Sequence, residues 1–471
     1  MRSWQLLFAV GIASVVLTAL SGTGKAAGQA YVNWPQYLYS QDHASDNQAA
    51  TAITPANAAQ LKLRWKFAPP APAAAPGLHG FLASPTVYNG VAYIGGRNGY
   101  FYAIDEVTGA VLWQRFIGIV THQTCAAQGF TSTATVQPDP TTGNPTVYVY
   151  GATGYLYAMN AADGTDAWPP AAVAIPSATT NDYYAWSSPL VSGGNVYVGI
   201  SSACDRPLVR GALDEFSQAS GAFENTFWTT PARTKGASIW SSPASDGSAV
   251  YITTGNGPTT SVGYSIIKLD PSLSQQDIWT VPLAQRVSDS DFGASPGIWT
   301  ASVGGVPTEM IGACNKNGTF YAWQAASLSA GPVWQDPIGN SATVGPGQCG
   351  AAPVFDGTNL YLASNGTTIN GTAYDGSVMQ ADPATGAIRW QTGLTGSIIG
   401  TPGMDGAGVI AAATYRSTTG QNSVFLIDAS NGQILKTFGY GTSDTFGQPV
   451  FADNYLFVAS KSRGLREYSA G

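Results

Sequence analysis

The chain has 471 residues and a net charge of −7, with 10% charged residues, 11% aromatics, 56 Gly and 29 Pro. So many aromatics and turn formers with so few charges exclude both a disordered chain and a helical bundle. An acidic chain without a Lys/Arg cluster has no electrostatic footprint for nucleic acid, and its length suits a repeat-built all-β unit.

The N-terminus reads as an export signal. Arg2 precedes an apolar run over 6–20 (LLFAVGIASVVLTAL), and Gly28-Gln29-Ala30 offers a small-x-small cleavage site. A signal peptide over 1–30 is expected, with cleavage after Ala30 and a periplasmic or secreted product. Loss of Arg2 and Lys25 leaves 18 basic residues against 27 acidic ones. The run is short for a bilayer span, a retained anchor being the alternative, and no later segment is long and apolar enough to cross. Residues 31–471 are expected to form one domain, with 31–60 as a lead-in. Within it, Thr54-Pro55 before ANAAQL predicts the N-cap and first turn of a short helix.

A repeat of about fifty residues follows. Residues 81–113 read FLASPTVYNG, VAYIGGRNG, YFYAIDEVTG, AVLW: four short strands separated by Asn-Gly, Asn-Gly and Thr-Gly. Those dipeptides supply the positive φ angles of tight hairpins. Each unit ends in an aromatic residue: Trp113, Trp168, Trp228, Trp279, Trp334, Trp390 and Phe438, spaced 48 to 60 residues apart starting from Trp65. Four strands per unit at a fixed period predict a β-propeller. The last copy stops after its third strand, and LKLRW65KF supplies the missing one. The fold class is therefore all-β: an eight-bladed propeller of four-stranded blades, its N-terminal strand closing the last blade and removing two sheet edges.

The periodic Trps, Trp65 and Trp228 among them, are expected to pack between blades with their N–H on a carbonyl. Trp240 stands outside that set. It opens an inner strand beside the channel (IWSSP), as Trp186 does one unit earlier (AWSSP), and the strand after Trp240 ends in Gly255-Asn256-Gly257. Channel-mouth residues are where propellers bind ligands; plugging the channel is the other use of Trp240.

The lead-in NWPQYLYSQDHASDNQ and the unit SPTVYNGVAYIGGRNGYFYAIDEVTGAVLW resemble the quinoprotein dehydrogenase family, eight-bladed propellers that bind pyrroloquinoline quinone (PQQ), and within it the polyvinyl-alcohol-dehydrogenase-like members. The resemblance implies roles for particular residues. Trp240, with Trp186 near it, matches the Trp beneath the quinone. Asn256 in TTGNGP matches a Ca²⁺ ligand. Asp291 in SDSDFGASP matches the catalytic Asp, which also faces the metal, with Ser290 where the family has Trp. Lys316 in CNKNGTFYAW matches the cation beside the quinone oxygens. In these roles Ca²⁺ acts as a Lewis acid, Asp291 as base and Lys316 as an electrostatic stabiliser. Asn256, Asp289, Asp291 and the Lys316-Asn317-Gly318 turn have turn chemistry as their plain alternative.

Two departures stand against the match. The family's adjacent Cys pair is absent, and SSACDRPLVRG lacks the family's Glu, leaving Asp205 as the nearby carboxylate, one position out of register. The four Cys instead suggest inter-blade pairs Cys125–Cys204 and Cys314–Cys349, one of three connectivities. No Cys-x-x-Cys-His motif is present, and the three His are scattered. The implied function is an exported PQQ-dependent dehydrogenase with Ca²⁺, oxidising an alcohol or sugar and passing electrons to a separate acceptor. The alternative is a non-catalytic propeller that binds a protein or glycan, since scaffold propellers share the repeat.

Overall fold

The computed structural model describes residues 30–73, 75–121, 125, 127–177, 182–339 and 349–470. The candidate signal peptide and His122 lie outside them. The compact unit is Tyr31–Gly471, and its strands form eight separate sheets. Seven blades are contiguous: 86–116, 135–172, 190–228, 244–280, 297–337, 354–394 and 403–441. The eighth spans 450–469 and takes Lys62–Phe67 as its fourth strand, antiparallel to Gly464–Ser469. The ring is closed by the strand that the truncated last repeat calls for.

Burial follows position in the blade. The middle strands Val91–Gly95 and Tyr100–Asp105 are almost wholly buried, whereas the outer strand Val111–Phe116 alternates toward solvent. The core therefore lies between blades. Tyr93 and Phe101 of blade 1, for example, pack on Val147 and Val149 of blade 2.

The periodic Trps fasten these junctions. Trp65, Trp113, Trp168, Trp334 and Trp390 each donate Nε1–H to a carbonyl of the following blade, at 2.9 to 3.4 Å. Each ring lies over a glycine: a Cβ on Gly164 would stand 2.7 Å from the Trp113 ring, and one on Gly221 2.5 Å from the Trp168 ring. Gly109, Gly164, Gly221, Gly386 and Gly432 thus serve both their own turn and the Trp of the preceding blade. Phe438 takes the Trp place by packing on Tyr468, the rings tilted by 34° with centroids 4.3 Å apart. Trp228 breaks the expected pattern. It is 46% exposed, and the Arg210 guanidinium covers its ring at 3.8 Å.

Near the channel, hydroxyls link the blades. Ser84 N–H donates to Thr133 Oγ1, Thr133 N–H to Ser188 Oγ, Ser188 N–H to Ser242 Oγ and Ser242 N–H to Ser295 Oγ, at 2.9 to 3.0 Å. Ala352 to Thr401 and Gln448 to Ser84 repeat the bond at 2.8 Å. Blade 6 has Ala352 at this position and offers no hydroxyl to blade 5.

The lead-in forms a collar across one mouth of the channel. Trp34 pairs with Val87 of blade 1, and Pro35 O accepts from Val136 of blade 2. Gln41 meets Ser192 of blade 3 and Ser245 of blade 4. Asp42, Ala44 and Ser45 carbonyls then accept from Ile298, Phe355 and Met404 of blades 5, 6 and 7, and Asn47 Nδ2 donates to Phe451 O of blade 8. Trp34, Leu38, His43 and Asn47 are buried in the process. The expected short helix is a single 3₁₀ turn, Ala58–Gln60. Thr54 and Asn57 bond reciprocally ahead of it, and the chain must straighten at once into Lys62–Phe67. Among the described residues no helix is long and apolar enough to cross a membrane.

Candidate active site

First strands run from the open mouth toward the collar, and second strands run back. The residues before a first strand and after a second strand therefore meet at the open mouth. In blade 4 these are Ser238–Trp240 and Gly255-Asn256, tied by Gly255 N–H to Ser238 O at 2.8 Å and Ala237 N–H to Asn256 O at 2.5 Å. The connection into blade 5 brings Asp289 and Asp291, and the Asn315–Gly318 turn of blade 5 brings Lys316. Lys316 N–H donates to Asp291 O at 2.9 Å.

These residues line one cavity of about 570 Å³, together with Trp186, Ser202, Cys204, Asp205 and Arg206. The structure thus gathers Trp186, Asp205, Trp240, Asn256, Asp291 and Lys316 at a single site. Asp291 is buried. Its Oδ1 accepts Asn256 N–H at 2.6 Å, and its Oδ2 lies 2.9 Å from Lys316 Nζ. Asp289 shares the same ammonium at 3.0 Å and accepts Asn256 Nδ2–H at 2.8 Å. Lys316 Nζ stands 5.1 Å from the centroid of the Trp240 ring, within cation–π reach. Gly293 gives that ring its room, since a Cβ there would come within 2.7 Å of it. Trp186 meets Trp240 edge to face, centroids 6.4 Å apart.

Three carboxylates, those of Asp205, Asp289 and Asp291, each bring an oxygen within 4.8 Å of the others. A single ammonium is bonded among them. Burial, aided by the neighbouring carboxylates, holds Asp291 above the ordinary carboxylate range against the pull of Lys316. Burial alone would lower Lys316, but Asp291 and Asp289 outweigh it and raise the ammonium above its ordinary value. Asn256 Oδ1 and Trp240 Nε1 are buried without a hydrogen-bond partner among the described residues. A buried polar atom without a partner is costly, so Asn256 Oδ1 is an acceptor held ready for a donor or a cation.

Both expected disulfides are formed. Cys125–Cys204 spans 6.2 Å between Cα atoms and Cys314–Cys349 spans 5.4 Å. Cys204 lines the cavity, so the first bridge anchors the loop that carries Asp205. Asp205 takes a positive φ of 58° there, and Ser202 Oγ donates to its carboxylate. Asp289 is the residue that sequence reasoning left as a turn former. The signal was the Asp-Ser-Asp spacing, which sends both carboxylates toward one ammonium when the intervening residue points away. Ser290 does so, bonding to Asn315 Oδ1 at 2.9 Å.

A ring of eight four-stranded blades is the fold of the PQQ-type propellers. The family described as outer membrane protein assembly factor BamB matches residues 51–280 and 263–437, and the chain belongs to that family. No curated protein matches the chain. Among solved structures, the quinohemoprotein alcohol dehydrogenase from Comamonas testosteroni is similar at TM-score 0.71 and 15% identity, over 93% of this chain and 81% of that one. A europium-containing methanol dehydrogenase is similar at TM-score 0.73 and 16% identity, over 91% and 90%. BamB from Moraxella catarrhalis is similar at TM-score 0.54 and 15% identity, over 82% and 96%. At these identities the likeness is one of fold.

Proposed function

We propose that the protein is an exported, PQQ-dependent dehydrogenase that oxidises an alcohol or sugar with the help of a bound Ca²⁺ and passes the electrons to a separate acceptor. The observation that carries this reading is the unpartnered Asn256 Oδ1 beside three clustered carboxylates, two of which share one ammonium while Asp205 does not reach it. The one ammonium within the cluster bonds Asp289 and Asp291 and not Asp205, which keeps carboxylate oxygen on hand for a cation. A neutral amide oxygen with carboxylates is the ligand set that hard cations such as Ca²⁺ prefer.

PQQ, when bound, supplies the two-electron acceptor for a hydride. In this reading the Trp240 ring, backed by Gly293, offers the flat apolar face that a planar cofactor needs. Asn256, Asp205 and Asp291 hold the cation. Asp291 takes the hydroxyl proton of the substrate, and burial, which raises its pKa, makes it a stronger base than an ordinary carboxylate. Lys316 Nζ, fixed by Asp289, stabilises negative charge developing beside Trp240. Two disulfides fit an oxidising compartment, which supports export.

A second reading, a scaffold propeller for a protein or glycan partner, is favoured by one observation. Lys316 bonds both Asp289 and Asp291, so the centre of the cluster is already ion-paired. Titration with PQQ and Ca²⁺ separates the two readings: saturable, cation-dependent binding supports the dehydrogenase, and no binding under any condition leaves the scaffold.

A further inference from the structure

A second cavity, of about 540 Å³, opens at the same mouth of the ring, between blades 6 and 7. It occupies a site equivalent to one wall of the first. In blade 7, Tyr415 N–H donates to Ser397 O at 2.8 Å and Ser397 N–H to Arg416 O at 2.5 Å. The first matches Gly255 N–H to Ser238 O in blade 4, and the second differs from Ala237 N–H to Asn256 O by one residue on the donor side, so Arg416 stands where Asn256 stands three blades earlier.

The other wall comes from an extension of blade 6. Leu360–Ile369 and Thr372–Ala381 are ten residues each, the longest strands among the described residues. The outer strand pairs with this hairpin only from Gly376 to Ala381. Residues 366–375 therefore project past the blade, paired only with one another. Asp375 Oδ2 accepts Thr418 N–H at 2.8 Å and Thr418 Oγ1–H at 2.9 Å, which joins the hairpin to the blade 7 loop and fixes the cavity's width. Tyr374 lines the cavity and packs on Gly393, where a Cβ would come within 2.4 Å of its ring. Arg416 is exposed. Its guanidinium faces the Tyr415 ring at 5.3 Å and makes no hydrogen bond or ion pair among the described residues.

We propose that this cavity binds a neutral saccharide, with Arg416 and Asp375 reading adjacent hydroxyls and Tyr374 packing on a sugar face. One cation and one anion leave the lining without net charge, which disfavours an ionic ligand. Planar donors and acceptors flanking an aromatic ring suit vicinal diols on an apolar C–H face. The volume lies in the range of small-molecule sites, roughly 300–1,000 Å³. The proposal is independent of what the first cavity holds.

Calorimetric titration of the whole protein with cellotriose, maltotriose and mannotriose, and with digalacturonate as an acidic control, tests it. At least one neutral trisaccharide is expected to bind. Its affinity should fall about tenfold in Arg416→Ala and in Tyr374→Ala, the loss of a charge-assisted hydrogen bond or an aromatic contact. Trp240→Ala should leave it unchanged. Arg416→Lys, which keeps the charge but not the planar fork, should bind more weakly than the parent. Binding of digalacturonate alone, binding lost in Trp240→Ala but kept in Arg416→Ala and Tyr374→Ala, or no binding of any sugar would each overturn the proposal.

Discussion

Asn256 and Asp291 are joined by a backbone N–H to carboxylate bond of 2.6 Å across the junction of blades 4 and 5. The bond fixes one oxygen of Asp291 and leaves the other, Oδ2, to Lys316 at 2.9 Å. One carboxylate is thus held by a backbone amide on one oxygen and by an ammonium on the other.

Asp291→Asn keeps an oxygen for the Asn256 N–H and removes the proton acceptor. With PQQ, Ca²⁺ and an artificial electron acceptor, kcat should fall at least about 100-fold, while PQQ affinity stays within about tenfold. Full turnover in this variant would remove Asp291 as the base.

The proposed cation site has a readout that needs no turnover. Terbium is a hard, oxygen-seeking ion, and the Trp240 side of the cavity should sensitise its luminescence. Asn256→Ala and Asp205→Ala should each weaken terbium binding about tenfold or more. Equal affinity in parent and variants would place the ion elsewhere.

The hydroxyl links between blades carry a stability prediction. Ser188→Ala strands the buried Thr133 N–H, now bonded at 3.0 Å, and should lower unfolding stability by on the order of 1–3 kcal/mol. Urea denaturation measures this. An unchanged midpoint would mean that water replaces the hydroxyl.

The collar carries a pH prediction. Asn47 pairs with Asp405, and burial raises Asp405 to about 8 and the nearby Asp46 to about 7. Both bind protons in the folded chain that the unfolded chain has released above about pH 4. Their contribution is therefore full at low pH and lost as pH rises through about 7 to 8. Asp405→Asn keeps the acceptor for Val409 N–H and removes the charge. The fall in Tm between about pH 5 and 9 should be smaller in the variant. Parallel falls would show that Asp405 titrates normally.

The blades were legible because hairpin dipeptides and outer-strand Trps recur at a fixed spacing, and the short last repeat pointed to Lys62–Phe67. The cavity residues were legible through the resemblance, which names Trp240, Asn256, Asp291 and Lys316 in order. Trp228 obeys the period yet lies at the surface with Arg210 over its ring, and no spacing rule carries that cation. The collar was illegible because residues 34–47 have no periodicity: their order follows the ring, blade after blade. The Ser/Thr links were hidden in plain sight, since a Ser-Pro before a strand also reads as a turn. Asp289 and the cavity walled by Arg416 and Asp375 join residues from adjoining blades, a closeness that only the folded ring creates.

The most direct test of the central claim is titration of the purified protein with PQQ, with and without Ca²⁺, followed by Trp fluorescence in the parent and in Trp240→Ala. The account predicts saturable quenching that needs Ca²⁺ in the parent and is lost in the variant. Absence of PQQ binding in the parent, or Ca²⁺-dependent quenching unchanged in Trp240→Ala, would contradict it.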